Sequence, residues 1–90
     1  MNIFILDGTK MLNRDSAHYY IAHIMHFPDY YGHNLDALYD CLGEYDESTT
    51  VIILNSDELL ANLGEYGENL LETFRQAADE PYAFHLIINQ

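Results

Sequence analysis

The chain contains no tryptophan, one cysteine, two prolines and only three lysines and arginines in ninety residues. Each scarcity excludes something. A single cysteine, Cys41, leaves no partner for an internal disulfide, which fits a reducing compartment. Three basic residues, with none between Arg14 and Arg75, cannot build the cationic stripe that nucleic acid or an anionic membrane requires. No apolar run approaches the roughly 20 residues of a membrane-spanning helix. The run Ile3-Phe4-Ile5-Leu6 is broken by Asp7-Gly8, so the start of the chain does not read as a secretion signal. The expectation is a cytoplasmic domain with no membrane or nucleic-acid partner.

Chemical motifs are missing as well. There is no Gly-rich phosphate loop, no Gly-x-Ser-x-Gly elbow and no Cys–His arrangement with an orienting third residue. Histidines 18, 23, 26, 33 and 85 include a pair three apart, His23 and His26, that could share a helix face. No third ligand follows at a zinc spacing, so solvated helix histidines are expected and no metal or cofactor is assigned. Cys41 reads as a structural thiol rather than a nucleophile. No catalytic residue is assigned. The competing enzymatic reading would make Asp36 and Asp40 a metal-assisted acid–base pair, which turnover dependent on a divalent ion would reveal.

What the chain has in excess is negative charge. Fifteen Asp and Glu give a formal net charge of −12, a field that favours solubility and draws basic partners. Eight tyrosines, four phenylalanines and a periodic apolar pattern separate it from acidic disordered chains.

Residues 1–90 form one domain with room for one modest core. Asn2–Leu6, Thr50–Leu54 and Ala83–Ile88 read as short apolar strands, expected to be buried on both faces. Between the first two lies a helix capped by Asn13, Asp15 or Ser16 and running to about His26. Ala17, Tyr20, Ile21, Ile24 and Met25 form its inner stripe, and Pro28 stops it. A second helix follows Asn34. Ser56 is expected to cap a third, ended by Gly64. A fourth runs from about Gly67 to Asp79 with Leu70, Leu71, Phe74, Ala77 and Ala78 inward, and Pro81 ends it. Strands alternating with helices give an α/β domain, a three-stranded parallel sheet with about four covering helices.

The informative stretch is Phe27 to Tyr45. Asn34 suits an N-cap because its side chain can accept from a free amide of the first turn. At 3.6 residues per turn, Leu35, Leu38, Cys41 and Leu42 share one side, and Asp36, Asp40, Gly43 and Glu44 the other. Asp36 and Asp40 stand one turn apart, where like charges cost about 0.2–0.5 kcal/mol, so helix stability does not account for the pair. Tyr20 and Tyr82 are expected in the core or at an edge. Tyr30, Tyr31, Tyr39 and Tyr45 are too many for so short a segment to bury, and tyrosine is a preferred interface anchor. Tyrosines beside unpaired carboxylates describe a surface for a cationic pocket. An acidic adaptor for a basic protein that is not a nuclease satisfies the same pattern.

The segment Pro28-Asp29-Tyr30-Tyr31-Gly32-His33-Asn34-Leu35-Asp36-Ala37-Leu38-Tyr39-Asp40-Cys41-Leu42 resembles the signature of the barstar family, intracellular inhibitors of barnase-type ribonucleases. The resemblance extends to the N-terminal strand with Gly8, the Phe74-Arg75 pair and the apolar C-terminal strand. It implies a one-to-one complex in which the loop and second helix plug the active site of a basic extracellular or toxin ribonuclease. Tyr30 would cover the catalytic histidine, and Asp36 and Asp40 would pair with the cations that hold RNA phosphate. The partner-binding set it implies is Tyr30, Tyr31, Gly32, Asn34, Asp36, Tyr39, Asp40, Gly43, Glu44, Tyr45 and Gln76. Several positions depart from barstar. Gln76 stands where it has glutamate, Gly43 where it has threonine, Glu44 where it has glycine, and Tyr39 and Tyr45 where it has tryptophans; His33 stands where an acid is common. A related ribonuclease with a different arrangement of basic residues is therefore expected, rather than barnase itself.

Overall fold

The computed structural model describes residues 1–90. The three strands are β1 (Asn2–Asp7), β2 (Thr49–Leu54) and β3 (His85–Ile88). The four helices are α1 (Arg14–Met25), α2 (Leu35–Leu42), α3 (Ser56–Leu63) and α4 (Glu65–Ala78), and a single 3-10 turn spans Gly8–Lys10. The sheet is parallel with order β1-β2-β3, so α1 and α2 cross from the first strand to the second, and α3 and α4 from the second to the third. The α/β architecture is the one the alternation of strands and helices requires.

The core lies on one side of that sheet. Leu6, Val51 and Ile53 are buried against Ile21, Met25, Leu38, Leu42, Leu70 and Phe74 from the helices. The opposite face is open, which corrects the expectation of strands covered twice. Ile3, Ile5 and Ile87 are exposed and Ile52 is only half-buried. An unbroken apolar run does not distinguish a strand buried on both faces from one that leaves isoleucine in water.

Local chemistry sets most of the ends. Asn13 caps α1, its Oδ1 accepting from the Ser16 amide at 2.9 Å while Ser16 Oγ accepts from the Asn13 amide. This reciprocal box is worth about 0.5–2 kcal/mol and settles the choice among three candidates. Asn55, with φ at 56°, precedes α3, and Ser56 lies inside the helix and is buried, so the expected serine cap is replaced by an asparagine in the left-handed region. Gly64 at φ 59° ends α3 and starts α4 in one residue, a geometry costly for any residue with a Cβ. At the end of β1, a Cβ on Gly8 would lie 2.2 Å from the Asn55 carbonyl oxygen, which makes that glycine a requirement of backbone approach.

Candidate functional site

Asn34 caps α2 as its sequence predicts: Oδ1 accepts from the Ala37 amide at 2.7 Å. The helix then divides by chemistry. Leu38 and Leu42 are fully buried and Cys41 half-buried, whereas Asp36, Asp40, Gly43 and Glu44 are exposed. Burial raises the Cys41 thiol above its ordinary pKa, with Glu44 and Asp40 adding to the effect, so it stays protonated and a poor nucleophile.

Asp36 and Asp40 face a groove of about 740 Å³ between α2 and α4. Leu35, Asp36, Tyr39 and Asp40 form one wall and Thr73, Gln76, Asp79 and Glu80 the other. Four carboxylates line it and no lysine or arginine does. Tyr39 crosses the groove to donate its hydroxyl to Glu80 Oε1 at 2.6 Å. That hydrogen bond, made to a carboxylate, is the main cause holding the Tyr39 phenol above its usual pKa. Asp79 and Glu80 were not assigned to the site from sequence. The acidic pair just before Pro81 was a signal, but helix-end carboxylates look like ordinary solvated residues until topology brings α4 beside α2.

The loop ahead of α2 separates its two tyrosines. Tyr30 is 85% exposed, at a turn closed by the Tyr31 amide donating to the Pro28 carbonyl at 2.9 Å. Tyr31 is only 5% exposed, which corrects its expected place as a surface anchor. Its ring packs on Phe27 with centroids 4.9 Å apart, and its hydroxyl lies 2.7 Å from His18 Nδ1. Tyr66 from α4 meets the other ring nitrogen, Nε2, at 2.6 Å. One tyrosine hydroxyl donates to the bare ring nitrogen and the other accepts from the N–H. His18 is thus buried rather than solvated, and it ties the loop to both α1 and α4. Burial raises the Tyr31 phenol far above its ordinary range.

Tyr45 is half-buried, donates its hydroxyl to the Met25 carbonyl and meets the Phe4 ring edge-on at 5.4 Å. It supports the end of α1 more than it presents a surface. Gly32 and Asn34 are exposed in the loop, and Gln76 is exposed on the far wall of the groove. Tyr82, placed in the core or at an edge from its sequence, is 80% exposed. No group of three His, Cys, Asp or Glu residues is arranged to hold a metal ion. No helix is long and apolar enough to cross a membrane.

The geometry is an exposed tyrosine, a pinned loop and a cation-free acidic groove along one helix. The family model described as Barstar (barnase inhibitor) matches residues 1–88. The chain belongs to the barstar family. It is also 38% identical over 81 residues to a Bacillus subtilis (strain 168) protein named "Putative ribonuclease inhibitor YrdF", covering 89% of each chain. The barstar fold accounts for the parallel sheet with its helices and for a central motif that was legible from residue 28 onward.

Burial of His18 has a consequence for stability in acid. Desolvation, with the charges of His33 and Arg14 acting the same way, lowers its pKa from 6.5 to about 4 in the folded protein. Between those values the unfolded chain binds a proton that the folded chain does not, so stability falls as pH drops from about 6.5 to about 4. The loss is on the order of 3 kcal/mol from this one group. His18→Gln should flatten the dependence, and urea midpoints for the two proteins at about pH 7, about pH 5.5 and about pH 4.5 measure it.

Proposed function

We propose that the chain inhibits a basic ribonuclease, binding it one to one and occluding its active site with the Tyr30 loop and the outer face of α2. The observation that carries this reading is the groove, where Asp36 and Asp40 stand exposed one turn apart beside Asp79 and Glu80 without a cation. A ribonuclease must hold phosphates with arginine or lysine, and carboxylates on a rigid helix satisfy those cations in their place. Asp40 is the central anchor, Asp36 lies beside it and Tyr30 covers the catalytic base. Gly43, Glu44 and Gln76 belong to the rim and set which ribonuclease is preferred, a relative of barnase with a different arrangement of basic residues. Tyr31, Tyr39 and Tyr45 act from beneath by holding the loop and helix in place.

Affinity capture of partners from the native lysate and culture medium, followed by RNA degradation with and without the inhibitor, tests the proposal. A captured basic ribonuclease silenced at equimolar ratio supports it. A captured basic protein with no nuclease activity, and RNA left unprotected, would make the chain an acidic adaptor instead. Association should be charge-steered, because complementary fields raise encounter rates by 10–10³-fold at low salt. Stopped-flow on-rates are expected to fall by roughly tenfold or more between about 0.01 and 0.5 M salt as the Debye length shrinks. Flat rates would mean an apolar docking surface.

A further inference from the structure

The loop that carries Tyr30 is fastened through a buried histidine, and counting protons fixes the direction of its hydrogen bonds. His18 has no exposed surface and sits between two hydroxyls, that of Tyr31 2.7 Å from Nδ1 and that of Tyr66 2.6 Å from Nε2. Neutral imidazole carries one N–H and each phenol one O–H, so three mobile hydrogens serve two contacts. The third must point away from the histidine. Tyr31 is 5% exposed, and its hydroxyl makes no other hydrogen bond. Tyr66 is only half-buried and reaches solvent. The spare hydrogen therefore belongs to Tyr66. Tyr31 donates to a bare Nδ1, and Nε2–H donates to Tyr66.

We propose that His18 is a positioning residue of the recognition loop, an acid-sensitive latch that holds Tyr31 down only while Nδ1 is bare. A proton added at Nδ1 meets the hydrogen of the Tyr31 hydroxyl and leaves one buried donor without an acceptor, a state that protein interiors avoid. The loop answers directly. The Tyr31 amide closes the turn on the Pro28 carbonyl at 2.9 Å, so lifting Tyr31 moves its neighbour Tyr30. Surrounding charge acts mostly in the same sense. Arg14 on α1, its guanidinium 5.0 Å from the Tyr66 ring centroid, and His33 in the loop, its ring 6.2 Å from that of His18, both oppose a positive histidine. Asp15 on α1 favours one, and Cys41 of α2 faces Tyr31 as a neutral thiol. Once Tyr31 lifts, His18 gains the water it lacked and takes up a proton as an ordinary histidine, so acid favours the lifted loop. The consequence for inhibition rests on the function proposed above: the complex should come apart faster in acid.

NMR and hydrogen exchange of the free full chain test the latch without a ribonuclease. At about pH 7, nitrogen-15 spectra should show Nδ1 bare and Nε2 protonated. The Tyr31 amide should exchange through an opening of its own, faster than the amides of β2. Between about pH 7 and about pH 5 its protection, corrected for intrinsic rate, should fall about 20-fold, the linkage of a group whose pKa moves from about 4 to 6.5 as the loop lifts. His18→Gln keeps one acceptor and one donor but cannot gain a proton, and should reduce that fall to less than about threefold. Tyr31→Phe removes a bond to the neutral ring and should raise the His18 midpoint by at least about 0.5 in pH. Tyr66→Phe removes a bond that the cation makes better, and should not raise it. A mere loss of packing would move both midpoints alike. A proton on Nδ1, Tyr31 protection flat with pH, an equal fall in His18→Gln, exchange of Tyr31 only together with β2, or a midpoint raised in both phenylalanine variants would each overturn the proposal. With a captured ribonuclease, the dissociation rate should climb in acid at least about threefold more for the wild type than for His18→Gln. Equal climbs would overturn the latch's part in inhibition.

Discussion

Asp40→Ala is expected to weaken the complex with the captured ribonuclease by at least about 2 kcal/mol, roughly 30-fold in Kd, while leaving the free protein slightly more stable. The binding figure is the customary threshold for a central hot spot, and barstar's own interface is among the cases on which that threshold rests. The opposite sign for stability follows from the local physics. Removing Asp40 relieves its repulsion with Asp36 one turn earlier and puts the best helix former in an exposed helical position. The gain should be a few tenths of a kcal/mol to about 1. Titration calorimetry with the ribonuclease, beside urea denaturation of the free chain, reads both signs. An unchanged Kd removes Asp40 as the anchor. Asp57→Ala, on α3 and outside the groove, is the control and should change Kd by less than about 0.5 kcal/mol.

Phe74→Ala is expected to cost about 3–5 kcal/mol of folding stability, the range for a buried phenylalanine deleted from a close-packed core. Phe74 has no exposed surface and is the largest fully buried side chain. It lies on the inner stripe of α4, whose outer side carries Gln76. Against a total of about 5–15 kcal/mol for a small domain, such a loss is a large fraction of the whole. Folded molecules should still inhibit, since Phe74 lines no part of the groove. Urea unfolding measures the destabilisation. Inhibition assayed at low temperature should approach the wild-type value per folded molecule.

Sequence legibility was uneven, and particular residues show why. The division of α2 into a leucine side and an aspartate side is a matter of helical period, so Leu38 and Asp40 could be placed without coordinates. Asn34 as a cap and Gly64 as a stop are likewise local chemistry, and both stand. His18 and Tyr31 were misread because each is polar and nothing nearby in sequence reveals the other. They satisfy one another across 13 positions, and Tyr66 joins them from 48 positions away. Glu80 reached the groove only because α4 packs beside α2, a relation that no sequence spacing encodes. The open side of the sheet was missed for another reason: the pattern of Ile3, Phe4, Ile5 and Leu6 has no polar alternation to signal water.

Tyr30 and Tyr31 are adjacent in the chain, yet one lies in solvent and the other in the core. This division makes the inhibitor easy to retarget. A library varying positions 30, 44, 76 and 79 changes exposed side chains with no share of the packed interior and leaves the Tyr39–Glu80 hydrogen bond in place. Most of its members should therefore fold, and selection could explore new enzymes without first repairing the scaffold.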